Sequence, residues 1–235
     1  MTRRDELSDN YARIRDEVAA AAQSAGRNLA DVHIIAVTKT WPASDIRLLA
    51  ELGLHDIGES RHQEASSKFD ELNDLDLTWH FIGQLQTNKV NQVARYADVI
   101  HSVDRPKLAT ALGKAAVAAN RTISVLIQVS LDETQSAADS ERGGVLRSQV
   151  LELADLIAGT PGLTLGGVMA VAPLDEQPAA AFARLTPVVA QLQSRYPTAT
   201  MVSAGMSGDF QEAIAAGATH LRIGSALLGS RPFVG

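Results

Sequence analysis

The sequence predicts an α/β protein, a single-domain (β/α)8 TIM barrel with an additional N-terminal helix. Three observations carry that expectation. Eight short β-branched runs recur along the 235 residues, with helical or connecting segments between them. Such alternation builds a parallel sheet, because parallel neighbours need a crossover, and eight strands are the count of a closed barrel. The first run leads into Lys39-Thr-Trp-Pro-Ala-Ser44, and neither GxGxxG nor a complete P-loop pattern occurs anywhere. An open doubly wound nucleotide-binding sheet typically carries a glycine-rich turn at that place. No low-complexity tract, charge block or Pro/Gly-rich linker divides the chain, and its length suits one barrel.

Taken in order, residues 5–25 read as a helix, with Leu7, Tyr11, Ile14 and Val18 at three- and four-residue spacing. This helix precedes the first strand, so residues 1–30 are expected to pack on the outside of the barrel. The strand runs are 32–38, 55–59, 78–83, 99–103, 124–130, 163–172, 200–205 and 220–224. Helices are expected at 42–52, 88–96, 107–119 and 210–216 among the connections, with Asn88 as a candidate cap for the second of these. The polar stretch 132–142 reads as a loop.

Composition narrows the function. The chain has 21 basic and 27 acidic residues, a net charge of −6, which disfavours non-specific binding to nucleic acid or an anionic membrane. A local basic pocket for one phosphate remains compatible with it. With no cysteine, disulfides, zinc–thiolate sites and cysteine nucleophiles are excluded. The N-terminal stretch MTRRDELSDN lacks the apolar core of a signal peptide, and no apolar run approaches the length of a membrane span. The expectation is a cytoplasmic protein. No ligand spacing supports a metal site.

In a barrel, sites form at the carboxyl ends of the strands, and phosphate tends to bind after strands seven and eight. Gly205-Met-Ser-Gly-Asp209 follows strand seven, and Gly224-Ser-Ala-Leu-Leu-Gly229 follows strand eight. Both combine small residues, a hydroxyl and amides near a helix start, a pattern that suits an anion. Both also read as plain helix-entry turns. Lys39 ends strand one, and alternation puts it on the face of Ile35 and Val37. If that face is the barrel interior, low-dielectric walls favour the neutral amine that Schiff-base chemistry needs. The alternative is a solvated lysine at a strand end. Arg222 lies within strand eight, where a permanent charge needs a partner. It reads as a structural ion pair with Glu59 or Asp209, or as a ring partner or anion clamp. His80 reads first as a hydrogen-bonded core histidine. His101, Ser102 and Asp104 end strand four, and nothing in the sequence makes them a triad.

The segments AVTKT (36–40), GES (58–60), WHFIGQLQTNK (79–89), IHSVD (100–104), GGVMAVA (166–172), SAGMSGDFQEA (203–213) and RIGSALLGSR (222–231) resemble the pyridoxal phosphate homeostasis protein family. The fold of that family is similar to the barrel domain of alanine racemases. The resemblance covers nearly the whole chain, and WHFIGQLQTNK is its most specific part. It implies that Lys39 holds pyridoxal 5′-phosphate (PLP) as an imine, that Ser207 and the Gly224–Ser225 turn hold the phosphate, and that Arg222 faces the pyridine nitrogen. Met206, Glu59, Ser60 and His80 complete the expected cofactor-contacting set. Two positions depart from the family pattern. Ser60 stands where Asn is usual after Gly-Glu, which shortens or removes a polar contact near the cofactor. Leu228 replaces a common Phe, a change in packing more than in chemistry.

An arginine at the ring nitrogen stays charged and disfavours the protonation that makes PLP a strong electron sink. Racemisation also needs a second acid/base, which in alanine racemases is a tyrosine from the partner subunit's extra domain. Tyr11, Tyr96 and Tyr196 all read as helical and away from the strand ends, and no second domain is expected. The expectation is therefore a monomeric PLP carrier in intracellular PLP homeostasis, buffering the cofactor or supplying it to apo-enzymes, with no catalytic residue assigned. The alternatives are a weak PLP-dependent racemase or lyase, and a Schiff-base aldolase acting on a phosphorylated sugar without PLP. Lys68, Lys89 and Lys107 stand as secondary candidates for reaction with PLP.

Overall fold

The computed structural model describes residues 1–132 and 143–229; beyond Asp132, the loop expected over 132–142 lies outside the described residues. The chain opens with α1 (Arg3–Ser24), β1 (His33–Val37), α2 (Ala43–Glu51), β2 (Asp56–Glu59), α3 (His62–Glu71) and β3 (Thr78–Phe81). It continues through α4 (Val90–Val93), β4 (Val99–Val103), α5 (Pro106–Ala118), β5 (Ile123–Val129), α6 (Val150–Ala158) and β6 (Leu163–Ala170). The last elements are α7 (Pro178–Ala183), α8 (Thr186–Arg195), β7 (Met201–Met206), α9 (Phe210–Ala215), β8 (His220–Ile223) and α10 (Ser225–Leu228). The eight strands form one closed parallel barrel in sequence order, and β8 closes on β1 with Ile35 opposite Arg222 and Ala36 opposite Ile223.

Strand alternation divides the apolar residues into two layers. Ala36, Ile57, Phe81, Ile100 and Ile223 belong to a large buried cluster shared with the helices, which includes Ile46, Leu108 and Leu153. Phe182 and Phe210 are fully buried in it, each contributing roughly 1.5–3 kcal/mol of burial free energy. A small separate cluster of Val99, Leu126 and Met169 fills part of the barrel interior. Two glycines allow close approaches that a side chain would block. Gly167, at φ 148°, pairs with Met201 so tightly that a Cβ would sit 1.9 Å from the Met201 carbonyl oxygen. Gly205, at φ 90°, brings the end of β7 against α9, where a Cβ would meet that of Ala213 at 2.7 Å.

The N-terminal helix begins two residues earlier than its apolar spacing indicates, because Thr2 and Asp5 form a reciprocal capping box. Its Leu7, Ile14, Val18 and Ala22 are buried, and it packs chiefly against α9 and α10. Three of its side chains reach carbonyls of α10: Arg3 to Leu228 (2.9 Å), Asn10 to Leu227 (3.0 Å) and Arg13 to Ala226 (2.8 Å). The helix expected over 88–96 is shorter, a 3₁₀ turn at Thr87–Lys89 followed by the single turn of α4. Asn88 lies inside that 3₁₀ turn and is not its cap. The chain is drawn off early because Asp98 ties it to β3, its backbone N–H donating to Trp79 O and its carboxylate accepting from Trp79 N. No helix among the described residues is long and apolar enough to cross a membrane.

Candidate functional site

The carboxyl ends of β1, β7 and β8 border a cleft of about 290 Å³. Val37 and Lys39 enter it from β1, and Trp41 forms part of its wall. Met206, Ser207 and Gly208 come from the turn after β7; Arg222, Gly224 and Ser225 come from β8 and the turn after it. Ile82 and Gly229 complete the lining. The first turn is closed by Met206 N donating to Asp209 Oδ1 (2.6 Å) and Asp209 N donating to Met206 O (3.2 Å). Burial pushes the Asp209 carboxyl up, against the opposing Met206 N–H bond and the charge of Arg222. Ala226 N donates to Ser207 Oγ at 3.3 Å, so the two turns are joined directly. At Gly208 a Cβ would meet nothing within 4 Å, so that turn has open space beside it, whereas at Gly224 a Cβ would touch Val37 at 3.5 Å.

Lys39 sits between Thr38, which is fully buried, and Thr40, at φ 72°. That φ is left-handed, an uncommon state for a β-branched residue that costs roughly 1–2 kcal/mol. The chain therefore turns sharply immediately after the lysine.

Arg222 is buried below the cleft. Nη1 donates to Ser203 O and Ser203 Oγ, both at 2.7 Å, and Nη2 donates to Ala170 O at 2.9 Å. Among the described residues it makes no ion pair with Glu59 or Asp209; carbonyl oxygens hold it instead. Burial draws its pKa down to about 10, against the opposing charge of Asp209, so the guanidinium is charged at neutral pH.

From Ser203 a polar column crosses the barrel interior. Ser203 Oγ lies 2.9 Å from His101 Nδ1, His101 Nε2 lies 2.9 Å from His80 Nδ1, and His80 Nε2 lies 2.9 Å from Asp56 Oδ1 at the opposite mouth. Burial would raise the Asp56 carboxyl, but the hydrogen bond from His80 prevails and holds it below its ordinary value. Burial, with the charge of Arg222 nearby, keeps His101 well below the usual imidazole range. At the same mouth His33 and His220 stack with centroids 4.9 Å apart. Burial, with His33 and His80 nearby, takes His220 down to about 4.

The structure thus brings together Lys39, Met206, Ser207, Arg222, Gly224 and Ser225. Three other expected contacts lie outside the lining. The Glu59 carboxylate accepts from Thr38 and Lys68 on the far side of the β1–β2 wall, and burial pushes its pKa up against the opposing charge of Lys68. Ser60 presents its backbone carbonyl to Gly83, where a Cβ would sit 2.2 Å from that oxygen. His80 meets Arg222 only through His101 and Ser203, which matches its reading as a hydrogen-bonded core histidine. Lys68, a candidate for reaction with PLP, is 6% exposed and donates to three oxygens, so its amine is not available. Sequence reasoning missed Trp41 and Ile82. Trp41 lies two residues past Lys39, and Ile82 follows His80 at the alternation that points inward, a signal open to view.

The chain matches the alanine racemase, N-terminal domain family over residues 8–232. It is 40% identical to the pyridoxal phosphate homeostasis protein of Mycobacterium tuberculosis, over 97% of this chain and 94% of that one. It is 36% identical to the protein of the same name from Escherichia coli K12, over 97% of this chain and 98% of that one. Among solved structures, PipY of Synechococcus elongatus with PLP bound superposes with a TM-score of 0.81 at 33% identity, covering 95% of this chain and all of PipY. Alanine racemase from Corynebacterium glutamicum shares the fold, with a TM-score of 0.69 at 16% identity. A closed eight-stranded barrel with its cleft at β1, β7 and β8, matched to these relatives over almost its full length, belongs to the alanine racemase N-terminal domain family, on the branch of the pyridoxal phosphate homeostasis proteins.

Proposed function

We propose that this protein binds PLP in the cleft above Arg222 and acts in PLP homeostasis, holding the cofactor on Lys39 and buffering or supplying it without efficient turnover. One observation carries the reading. A lysine amine, a buried charged guanidinium and two small-residue turns face one cleft of about 290 Å³. These groups fit the three chemical parts of PLP. The amine of Lys39 suits the aldehyde carbon, to which it would join as a Schiff base with loss of water. The small-residue turns at Ser207–Gly208 and Gly224–Ser225, both lining the cleft, with the Ser207 hydroxyl, suit the phosphate. Arg222 suits the pyridine nitrogen as a donor, and as a permanent cation it opposes ring protonation. The names of the 36–40% identical relatives, and the PLP in the PipY structure, support the same assignment.

When bound, PLP supplies an electrophilic aldehyde and an electron-withdrawing ring. The side chains here hold it more readily than they exploit it. None of the three tyrosines lines the cleft: Tyr11 lies on α1, Tyr96 is buried against Trp79 and Phe69, and Tyr196 donates to Asp155 outside the barrel. A racemase or lyase reading would need a second acid/base across the ring. Exchange of the Lys39 bond with another protein's amine would release the aldehyde to apo-enzymes.

The test is the visible spectrum of the purified protein with added PLP, before and after borohydride, for wild type and Lys39→Ala. A borohydride-sensitive yellow band in wild type alone is expected. No band in wild type would overturn the reading and favour a phospho-sugar aldolase. An equal band in the variant would move the cofactor to another lysine.

A further inference from the structure

The two peptide groups flanking Lys39 are both held by one buried cluster behind the barrel wall. Lys68 Nζ, from α3, donates to Thr38 O at 2.8 Å, to Glu59 Oε1 at 2.7 Å and to Glu64 Oε1 at 2.6 Å. The same Glu64 Oε1 accepts from Thr40 N at 2.5 Å. Thr38 Oγ1 adds a bond to Glu59 Oε1 at 2.7 Å. The carbonyl before the lysine and the N–H after it are therefore tied to two residues one helical turn apart on α3. None of these cluster residues lines the cleft.

We infer that Glu64 and Lys68 are positioning residues for Lys39, clamping the peptide groups on both sides of it so that its side chain projects into the cleft. The inference rests on the proposed PLP site. Its physical core is Thr40. A threonine at φ 72° does not hold that conformation by its own preference, and the chain needs an external tie to keep the sharp turn after Lys39. A charge-assisted hydrogen bond to the Glu64 carboxylate is a tie of the required kind. Lys68 fixes Glu64 in turn, because its three N–H groups are all engaged and it is almost wholly buried. Without the tie, Thr40 relaxes to negative φ and the amine of Lys39 is displaced from its line of approach to the cleft. A misplacement of about 1 Å at a reacting atom is enough to cost up to about a hundredfold in rate.

The experiment compares wild type, Glu64→Ala, Glu64→Gln, Thr40→Gly and the double variant Glu64→Ala/Thr40→Gly. Two readouts are taken: the rate of yellow-band formation with PLP across pH, and calorimetric affinity for pyridoxine 5′-phosphate, which keeps ring and phosphate but has no aldehyde. For Glu64→Ala the band should form about tenfold more slowly or worse, with pyridoxine 5′-phosphate affinity within about twofold of wild type. Glu64→Gln, which retains an oxygen acceptor for Thr40 N–H, should recover most of the rate. The double variant should recover it too, because glycine holds a left-handed φ without side-chain cost. Wild-type rates in Glu64→Ala would overturn the clamp while leaving the PLP site standing. Loss of both readouts in Glu64→Ala, with no rescue by Thr40→Gly, would overturn it in favour of a general structural role. A wild type that binds pyridoxine 5′-phosphate yet forms no band would overturn both the clamp and the Lys39 assignment.

Discussion

His80 Nδ1 and His101 Nε2 face each other at 2.9 Å inside the barrel, so one of these two nitrogens carries a proton and the other accepts it. One set of tautomers satisfies the whole column. Arg222 donates to Ser203 Oγ, whose hydroxyl donates to His101 Nδ1; His101 Nε2–H donates to His80 Nδ1, and His80 Nε2–H donates to Asp56. Every bond in that set points from the cleft towards Asp56.

Nitrogen-15 NMR of the histidine rings at pH 6 should show His101 neutral and protonated on Nε2, because burial, with the charge of Arg222 nearby, holds its pKa down. An imidazolium signal for His101 at that pH would refute the assigned column.

Stability should follow the histidines at the far mouth. His220 has a folded pKa of about 4, below its ordinary value, so the unfolded chain binds more protons over the interval between. The contribution is therefore fully present above about pH 6.5 and is lost as pH falls towards 4, by on the order of 2–3 kcal/mol. Asp56, held below its ordinary value, acts in the same sense at lower pH. Thermal melts from pH 8 to 4.5 should show Tm falling below pH 6.5, with a shallower slope in His220→Gln. Equal slopes would remove His220 as the cause.

The N-terminal helix should support the cleft from outside. Arg3 and Asn10 of α1 bond the carbonyls of Leu228 and Leu227, in the short helix whose first turn borders the cleft. Arg3 also packs over Trp41, 4.5 Å from the ring centroid, and bonds Asp45. The double variant Arg3→Ala/Asn10→Ala should weaken PLP binding several-fold, since each lost bond is worth about 1 kcal/mol. Fluorescence titration with PLP checks this, and unchanged affinity would show that α10 is held without α1.

Gly205→Ala should loosen the turn after β7. The new methyl meets Ala213 Cβ at 2.7 Å and Phe210 Cα at 3.0 Å, on a backbone whose φ of 90° already disfavours a side chain. Overpacking and strain together should cost roughly 2–4 kcal/mol of stability. Denaturant unfolding measures the cost, and a variant as stable as wild type would show that α9 yields freely.

Much of this molecule is written locally in its sequence. The parallel barrel follows from strand–helix alternation, and the apolar spacing of Leu7, Ile14 and Val18 marks α1, because burial depends on periodicity that a single chain displays. Lys39, Ser207, Arg222, Gly224 and Ser225 were legible as one site because strand ends in a barrel share a rim. Glu59 also ends a strand, but alternation carries its side chain outward to Lys68, and the carbonyl of Ser60, just beyond that strand, faces Gly83. What holds Arg222 was not legible, since carbonyls of Ala170 and Ser203 leave no trace in residue identity. Nor was the histidine column, whose members lie 21 and 102 residues apart along the chain. The sequence by itself determined the fold and the rim lysine, through local periodicity and spacing. Only the tertiary structure decided which polar groups meet, because hydrogen bonds depend on distances that closure of the barrel sets.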